Sequence, residues 1–258
     1  MTDWHGDLAE ALIFQVNAGA DEAILDDPVN RFEAPAPVPE KPAATPTPQA
    51  QPLRETAPVE DTSALAAHCT DLTSLRATME AFDGCALKKG ARNFVFCDGN
   101  PAAPLMVIGE APGAEEDRQG KPFVGKSGQL LDRMLGAIGL DRHAKDASKA
   151  AYITNVIPWR PPGNRDPSAD EIAMMRPFLM RHIQLAQPKV IMLLGNPSMK
   201  TVLQTKEGIT RMRGKWAEVE GIPAMPSFHP AALLRDPLKK RFSWEDLQAV
   251  QRKLDGRG

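Results

Sequence analysis

The chain has few cysteines and no long apolar run. Among its 258 residues are three cysteines, Cys69, Cys85 and Cys97, an odd number with no CxxC spacing. That argues against a disulfide framework and leaves too few thiols for an all-cysteine cluster. No apolar stretch approaches the roughly 18 residues that would span a bilayer. The N-terminus lacks a basic segment followed by an apolar core, so no secretory signal is expected. A cytoplasmic chain without a membrane partner follows as the expectation. Its 42% hydrophobic and 25% charged content is that of an ordinary globular protein, not of a disordered one.

Net charge is also small, −2, but it is unevenly spread. Residues 1–61 hold 12 acidic and three basic residues, a net of −9, which leaves 28 basic and 21 acidic residues beyond them, a net of +7. A basic body behind an acidic leader permits a nucleic-acid partner, although scattered basic excess is common on enzymes.

What is present divides the chain into three. Trp4, Leu8, Leu12 and Val16 recur at helical spacing over 3–19, so residues 1–20 form an amphipathic helix. It either docks on its own domain or binds a protein partner. Residues 21–61 read as an acidic, Pro/Ala-rich disordered linker; eight of the 24 prolines fall between 35 and 58. The folded domain spans 62–258. It opens with a helix over 62–81 and a candidate strand at 93–96. Short apolar strands at 105–109, 151–157, 189–194 and 223–227 then alternate with helices at 127–138, 168–186, near 197, 230–235 and 243–254. Residues 210–216 read as part of a hairpin. Such alternation means an α/β fold: three α/β/α layers around a mostly parallel four-stranded sheet.

In such sheets ligands bind beyond the carboxyl ends of the strands. Those ends carry Glu110, Asn155, Gly195 and His229. Glu110 sits in Gly109-Glu110-Ala111-Pro112-Gly113, where an apolar strand stops at a glycine and turns through Pro-Gly. Each residue taken singly has a plain alternative: a solvated turn glutamate, a strand-end amide, a satisfied loop histidine.

Five motifs follow one another: Gly-Glu-Ala-Pro-Gly at 109–113, Pro-Phe-Val-Gly-Lys-Ser-Gly-Gln-Leu-Leu-Asp at 122–132, Tyr-Ile-Thr-Asn-Val at 152–156, Arg-Pro-Pro-Gly-Asn-Arg-Asp-Pro at 160–167 and His-Pro-Ala-Ala-Leu-Leu-Arg at 229–235. In that order they resemble the uracil-DNA glycosylase superfamily, family 4 type, over roughly residues 84–254. The resemblance implies a monofunctional enzyme of base excision repair, which flips uracil out of DNA and hydrolyses its bond to the sugar. It implies Glu110, His229 and Asn155 as catalytic, and Gly109, Ala111, Phe123, Asn155 and His229 as uracil-binding. Phe123 would stack the base, and the Asn155 amide would accept from N3–H and donate to O4. His229 would donate to O2 as charge develops there, and Glu110 would serve the attacking water and the cationic sugar.

DNA contacts are implied at Lys126, Ser127 and Gly128, where a helix start favours phosphate, and at Arg160, Asn164, Arg165 and Arg235. Leu233 and Leu234 are candidate wedges for the hole left by a flipped base. Single- or double-stranded uracil-containing DNA is the implied partner, met by a monomer in the cytoplasm and associated with the nucleoid. A second reading is a slow-turnover protein that binds uracil or abasic sites and recruits a partner through residues 3–19. A third is an enzyme of the same fold acting on another deaminated base.

The chain departs from the family at one place. Family 4 enzymes hold a [4Fe–4S] cluster on four cysteines, but here the matched positions are Phe82, Cys85, Trp159 and Met174 or Met175. With one thiol kept, the expectation is no cofactor, no metal and a small hydrophobic cluster instead.

Overall fold

Leu105–Gly109 and Val190–Leu194 are five-residue strands buried along their whole length, which is the pattern of strands covered on both faces. They form the centre of the sheet in a computed structural model that describes residues 62–257. The expected helix at 3–19 and the linker to residue 61 lie outside the described residues. In chain order the strands are β1 (Cys97–Gly99), β2 (Leu105–Gly109), β3 (Ala151–Asn155), β4 (Val190–Leu194), β5 (Ala217–Val219) and β6 (Ile222–Ser227). Among the described residues they make one sheet in the order β1-β3-β2-β4-β6-β5.

The inner four, β3-β2-β4-β6, run parallel with β2 in register at Leu105↔Ala151 and Leu105↔Val190. These are the four strands the apolar runs indicate. Two antiparallel edge strands extend them. β1 lies at 97–99 and not at 93–96. Val95 and Phe96 are instead buried from a loop, tied to the Pro158 carbonyl through the Val95 N–H. β5 pairs with β6 through a two-residue turn, Glu220-Gly221, with φ of 52° and 76°. Positive φ at both positions is the hairpin geometry that matches strand twist. Residues 210–216 are therefore not the hairpin: a short helix and a turn precede it.

Helices are α1 (Thr62–His68), α2 (Leu72–Ala81), α3 (Ala114–Gln119), α4 (Lys126–Ala137), α5 (Ala169–Ala186), α6 (Asn196–Leu203), α7 (Ile209–Met212), α8 (Pro230–Arg235) and α9 (Lys240–Leu254). The single helix read over 62–81 is two. Asp71 accepts from the Ser74 N–H at 2.7 Å while Ser74 Oγ accepts from the Asp71 N–H at 3.1 Å. That reciprocal cap starts a new helix in the middle of an apolar pattern. α1 and α2 pack on α5, and α5 packs on α6; α9 packs on β4, β6 and α4, and α4 packs on α8. Two groups of helices thus enclose the sheet, giving the three-layer α/β/α fold. No helix among the described residues is long and apolar enough to cross a membrane.

From β2 the chain passes to β3 on one side, then back across to β4 on the other. Such a reversal opens a crevice beyond the carboxyl ends of the strands.

Candidate active site

The crevice is a cavity of about 540 Å³, lined among others by Glu110, Ala111, Phe123, Asn155, Gly195 and His229. Four strand ends and one loop supply these residues. At the end of β2, a β-carbon on Gly109 would collide with Asn155 Oδ1 and the Phe123 ring. Only glycine lets the side chains from 123 and 155 meet over the strand end. The Glu110 carbonyl accepts from Ile157 N–H at 3.0 Å, which carries the β2–β3 ladder past Asn155 and fixes the Glu110 backbone. The Glu110 side chain is half-buried, and desolvation, aided by the charge of Asp166, pushes its carboxyl up to about 7.

Phe123 is 5% exposed and takes a left-handed backbone, φ 53°. Glu116 organises the loop around it. Its Oε1 accepts from Val124 N–H and Gly125 N–H, both at 2.9 Å, and its Oε2 accepts from Gly113 N–H at 3.2 Å. One carboxylate thereby joins the Pro-Gly turn to the loop that carries the ring. Gly128 closes this packing from below, since a β-carbon there would collide with the Phe123 carbonyl.

His229 caps α8, and its Nδ1 accepts from Ala231 N–H at 3.1 Å. An Nδ1 acting as acceptor assigns the proton of the neutral ring to Nε2. Burial of the ring, with a smaller contribution from Arg235, pulls its pKa down to about 4, so it is neutral at pH 7. Its ring lies 5.4 Å from that of Phe123 at 30°. Gly195 gives it room: a β-carbon there would lie 3.2 Å from the His229 Cβ. Asn155 is 7% exposed, and its Oδ1 has no hydrogen-bond partner among the described residues. A buried acceptor left unsatisfied costs about 1–3 kcal/mol and calls for a donor from outside the protein.

The residues read as DNA contacts are distributed unevenly. Lys126 is exposed at the start of α4, Ser127 lines the cavity, and Gly128 is buried beneath Phe123. Arg160 donates from Nε to Asn164 Oδ1 at 2.8 Å. Arg165 makes a two-pronged pair with Glu171, at 2.9 and 2.6 Å, and donates to the Asp166 carbonyl. Arg235 is exposed and lines the cavity. Of the two leucines, Leu233 is buried in the core at 1% exposure and Leu234 is 43% exposed, so Leu234 alone offers an apolar surface. Sequence reasoning missed Glu116 and Asp166. Only the first left a signal, an acidic residue three positions after the helix-capping Gly113.

A family model described as the uracil DNA glycosylase superfamily matches residues 96–249. The chain belongs to the uracil-DNA glycosylase superfamily. Within it, the chain is 40% identical over 176 residues to a type-4 uracil-DNA glycosylase of Sulfurisphaera tokodaii, covering 65% of this chain and 77% of the relative. It is also 40% identical over 182 residues to one of Saccharolobus solfataricus, covering 67% and 82%. A third, of Archaeoglobus fulgidus, is 38% identical over 174 residues, covering 64% and 84%.

These relatives correct the expectation of a protein without a cofactor. Type-4 glycosylases bind an iron–sulfur cluster as a family, and no observation on this chain demonstrates its loss. At the four matched positions Phe82, Cys85, Trp159 and Met175 are buried and Met174 is half-buried, with Phe82 edge-on to Phe178 at 5.6 Å. Among the described residues no group of three or more His, Cys, Asp or Glu is placed to hold a metal ion. These side chains supply one thiol and do not themselves fit a four-thiolate site. The chemistry derived from the residues of the cavity does not pass through such a group.

Proposed function

We propose that this member of the superfamily is a monofunctional uracil-DNA glycosylase, acting in base excision repair on uracil left by deaminated cytosine. The single observation that carries the reading is the buried, unpaired Oδ1 of Asn155, beside Phe123 and His229 in one cavity. Uracil in its lactam form has an N3–H donor flanked by two carbonyl oxygens, which matches an acceptor with donors beside it.

A base in a duplex must be rotated out of the stack to enter such a cavity. Phe123 then stacks the ring, and Asn155 accepts from N3–H and donates to O4. Breaking the N1–C1′ bond sends its electron pair into the base and leaves a cationic sugar. His229 donates Nε2–H to O2, where the negative charge gathers; a neutral donor there is typically worth about 3–4 kcal/mol of barrier. Water adds its oxygen to C1′ and passes a proton toward Glu110. A carboxylate that titrates near 7 suits that transfer at neutral pH. The uracil anion takes up a proton at N1, Glu110 gives its proton back to solvent, and the products are free uracil and an abasic sugar. No lysine is among the described residues lining the cavity, which fits hydrolysis rather than attack by an amine.

Ser127, Asn164, Arg165 and Arg235 line the cavity, and with Lys126 and Arg160 they are the candidate phosphate contacts, with Leu234 as the candidate wedge. The catalytic domain works as a monomer, and residues 3–19 carry apolar spacing suited to a protein partner. The test is excision from uracil-containing single- and double-stranded oligonucleotides, with hypoxanthine and xanthine controls, read by strand scission after alkali. Multiple turnover on uracil alone is expected. Product that stalls at one equivalent of enzyme would instead mark a binding protein, and no product from any substrate would end the enzymatic reading.

A further inference from the structure

Phe123 holds its left-handed backbone although its β-carbon disfavours it. Such a conformation persists only where the neighbours determine it from both sides. After Phe123, Glu116 supplies that constraint through the Val124 and Gly125 N–H groups. Before Phe123, the constraint comes from Arg142, in the loop between α4 and β3. Its Nη1 donates to the Pro122 carbonyl at 2.9 Å, and that peptide plane sets the φ of Phe123. Two acidic side chains orient the guanidinium: Asp132 accepts from Nε at 2.7 Å, and Asp98 lies 3.4 Å from Nη1. Arg142 is 5% exposed, and its Nη2 has no partner among the described residues. Burying a guanidinium with one nitrogen unpaired is unfavourable in itself, so packing gives no account of the choice of arginine. A fixed donor beneath one carbonyl does.

We infer that Arg142 is a positioning residue: by holding the Pro122 carbonyl it presets the Phe123 ring against which the flipped base stacks. It does not line the cavity and acts only through the loop. The inference rests on Phe123 being the stacking residue, and the experiment separates the two. Arg142→Met keeps an unbranched apolar stem and removes the donors of the side chain. In the full-length protein it should slow single-turnover excision, and weaken inhibition by free uracil, each by about tenfold or more. Affinity for uracil-free duplex should stay within about twofold, because the phosphate contacts lie elsewhere.

The decisive comparison is with Phe123→Ala. Added to that variant, Arg142→Met should change excision by less than about threefold, since the ring it positions is gone. A full tenfold effect in that background, or an equal loss of affinity for uracil-free duplex, overturns the inference. If Phe123→Ala alone leaves excision and uracil inhibition intact, the stacking role fails instead. Should Arg142→Met not fold, Asp132→Ala, which removes the acceptor for Arg142 Nε, tests the same chain of contacts from its exposed side. It should give a smaller loss of the same sign that vanishes in Phe123→Ala, and wild-type behaviour would overturn the inference.

Discussion

Glu110 and Asp166 line one cavity, and the charge of Asp166 adds to burial in holding the Glu110 carboxyl at about 7. The other ionisable groups on that cavity are Glu116, Arg165, His229 and Arg235. Glu116 is engaged by backbone N–H groups, and Arg165 is turned toward Glu171. Excision under single-turnover conditions should therefore rise with pH through about 7, as Glu110 loses its proton, and level off above it. Asp166→Asn removes the second cause and leaves burial, so the acid limb should move to lower pH. A limb that stays in place in Asp166→Asn would remove Asp166 from the account.

Glu110→Gln and His229→Ala should each lower the excision rate by at least about a hundredfold, the scale for a proton acceptor and an oxyanion donor. Affinity for uracil-containing DNA should fall far less, since stacking and the Asn155 contacts remain. Glu110→Gln should also raise the melting temperature at pH 8 more than at pH 5. The folded pKa of Glu110 lies above its ordinary value, so its stability contribution is lost as pH rises through about 7, and glutamine does not titrate. Losses under about threefold in both variants would mean that these roles belong to other residues.

Leu233 and Leu234 are neighbours with opposite environments, and their alanine variants should fail differently. Leu233→Ala opens a core cavity and should cost about 2–5 kcal/mol of stability. Leu234→Ala should leave the melting temperature nearly unchanged. It should slow excision from duplex by roughly tenfold, with less effect on single strands that need no wedge. Equal slowing on both substrates would argue against a wedge at this position.

His182 is buried against Tyr152, whose hydroxyl lies 2.7 Å from Nε2, and stacks on Phe96 at 4.5 Å. Burial pulls its pKa down to about 3. A folded pKa below the unfolded value gives stability that is present above about 6.5 and lost as pH falls toward 3. The destabilisation caused by His182→Gln should accordingly be largest at pH 7 and shrink steadily toward pH 4. Denaturant titrations of both proteins across that range check the sign, and a penalty that grows on acidification would contradict it.

The four parallel strands were legible because buried strands on both faces spell uninterrupted apolar runs, as in Leu105–Ile108 and Val190–Leu194. Their polar ends, Glu110, Asn155 and His229, were legible for a second reason: chemistry in such sheets sits where the runs stop. Edge strands obey neither rule. β1 is Cys-Asp-Gly, with no apolar period, and takes its place only by pairing with β3. The break between α1 and α2 turns on one hydrogen-bonded cap inside an otherwise continuous apolar stripe. Arg142 and Asp166 were illegible in a stricter sense. Their partners, Pro122 and Glu110, are distant in the chain, and nothing local to either residue names them.

On the proposed roles, Asn155, Phe123 and His229 hold the base and Glu110 addresses the sugar, all from one cavity. Cutting the glycosidic bond removes none of these contacts to the base, so free uracil fits the same cavity. Supplied from outside, free uracil should raise the melting temperature of the resting protein by giving the solitary Asn155 oxygen a partner.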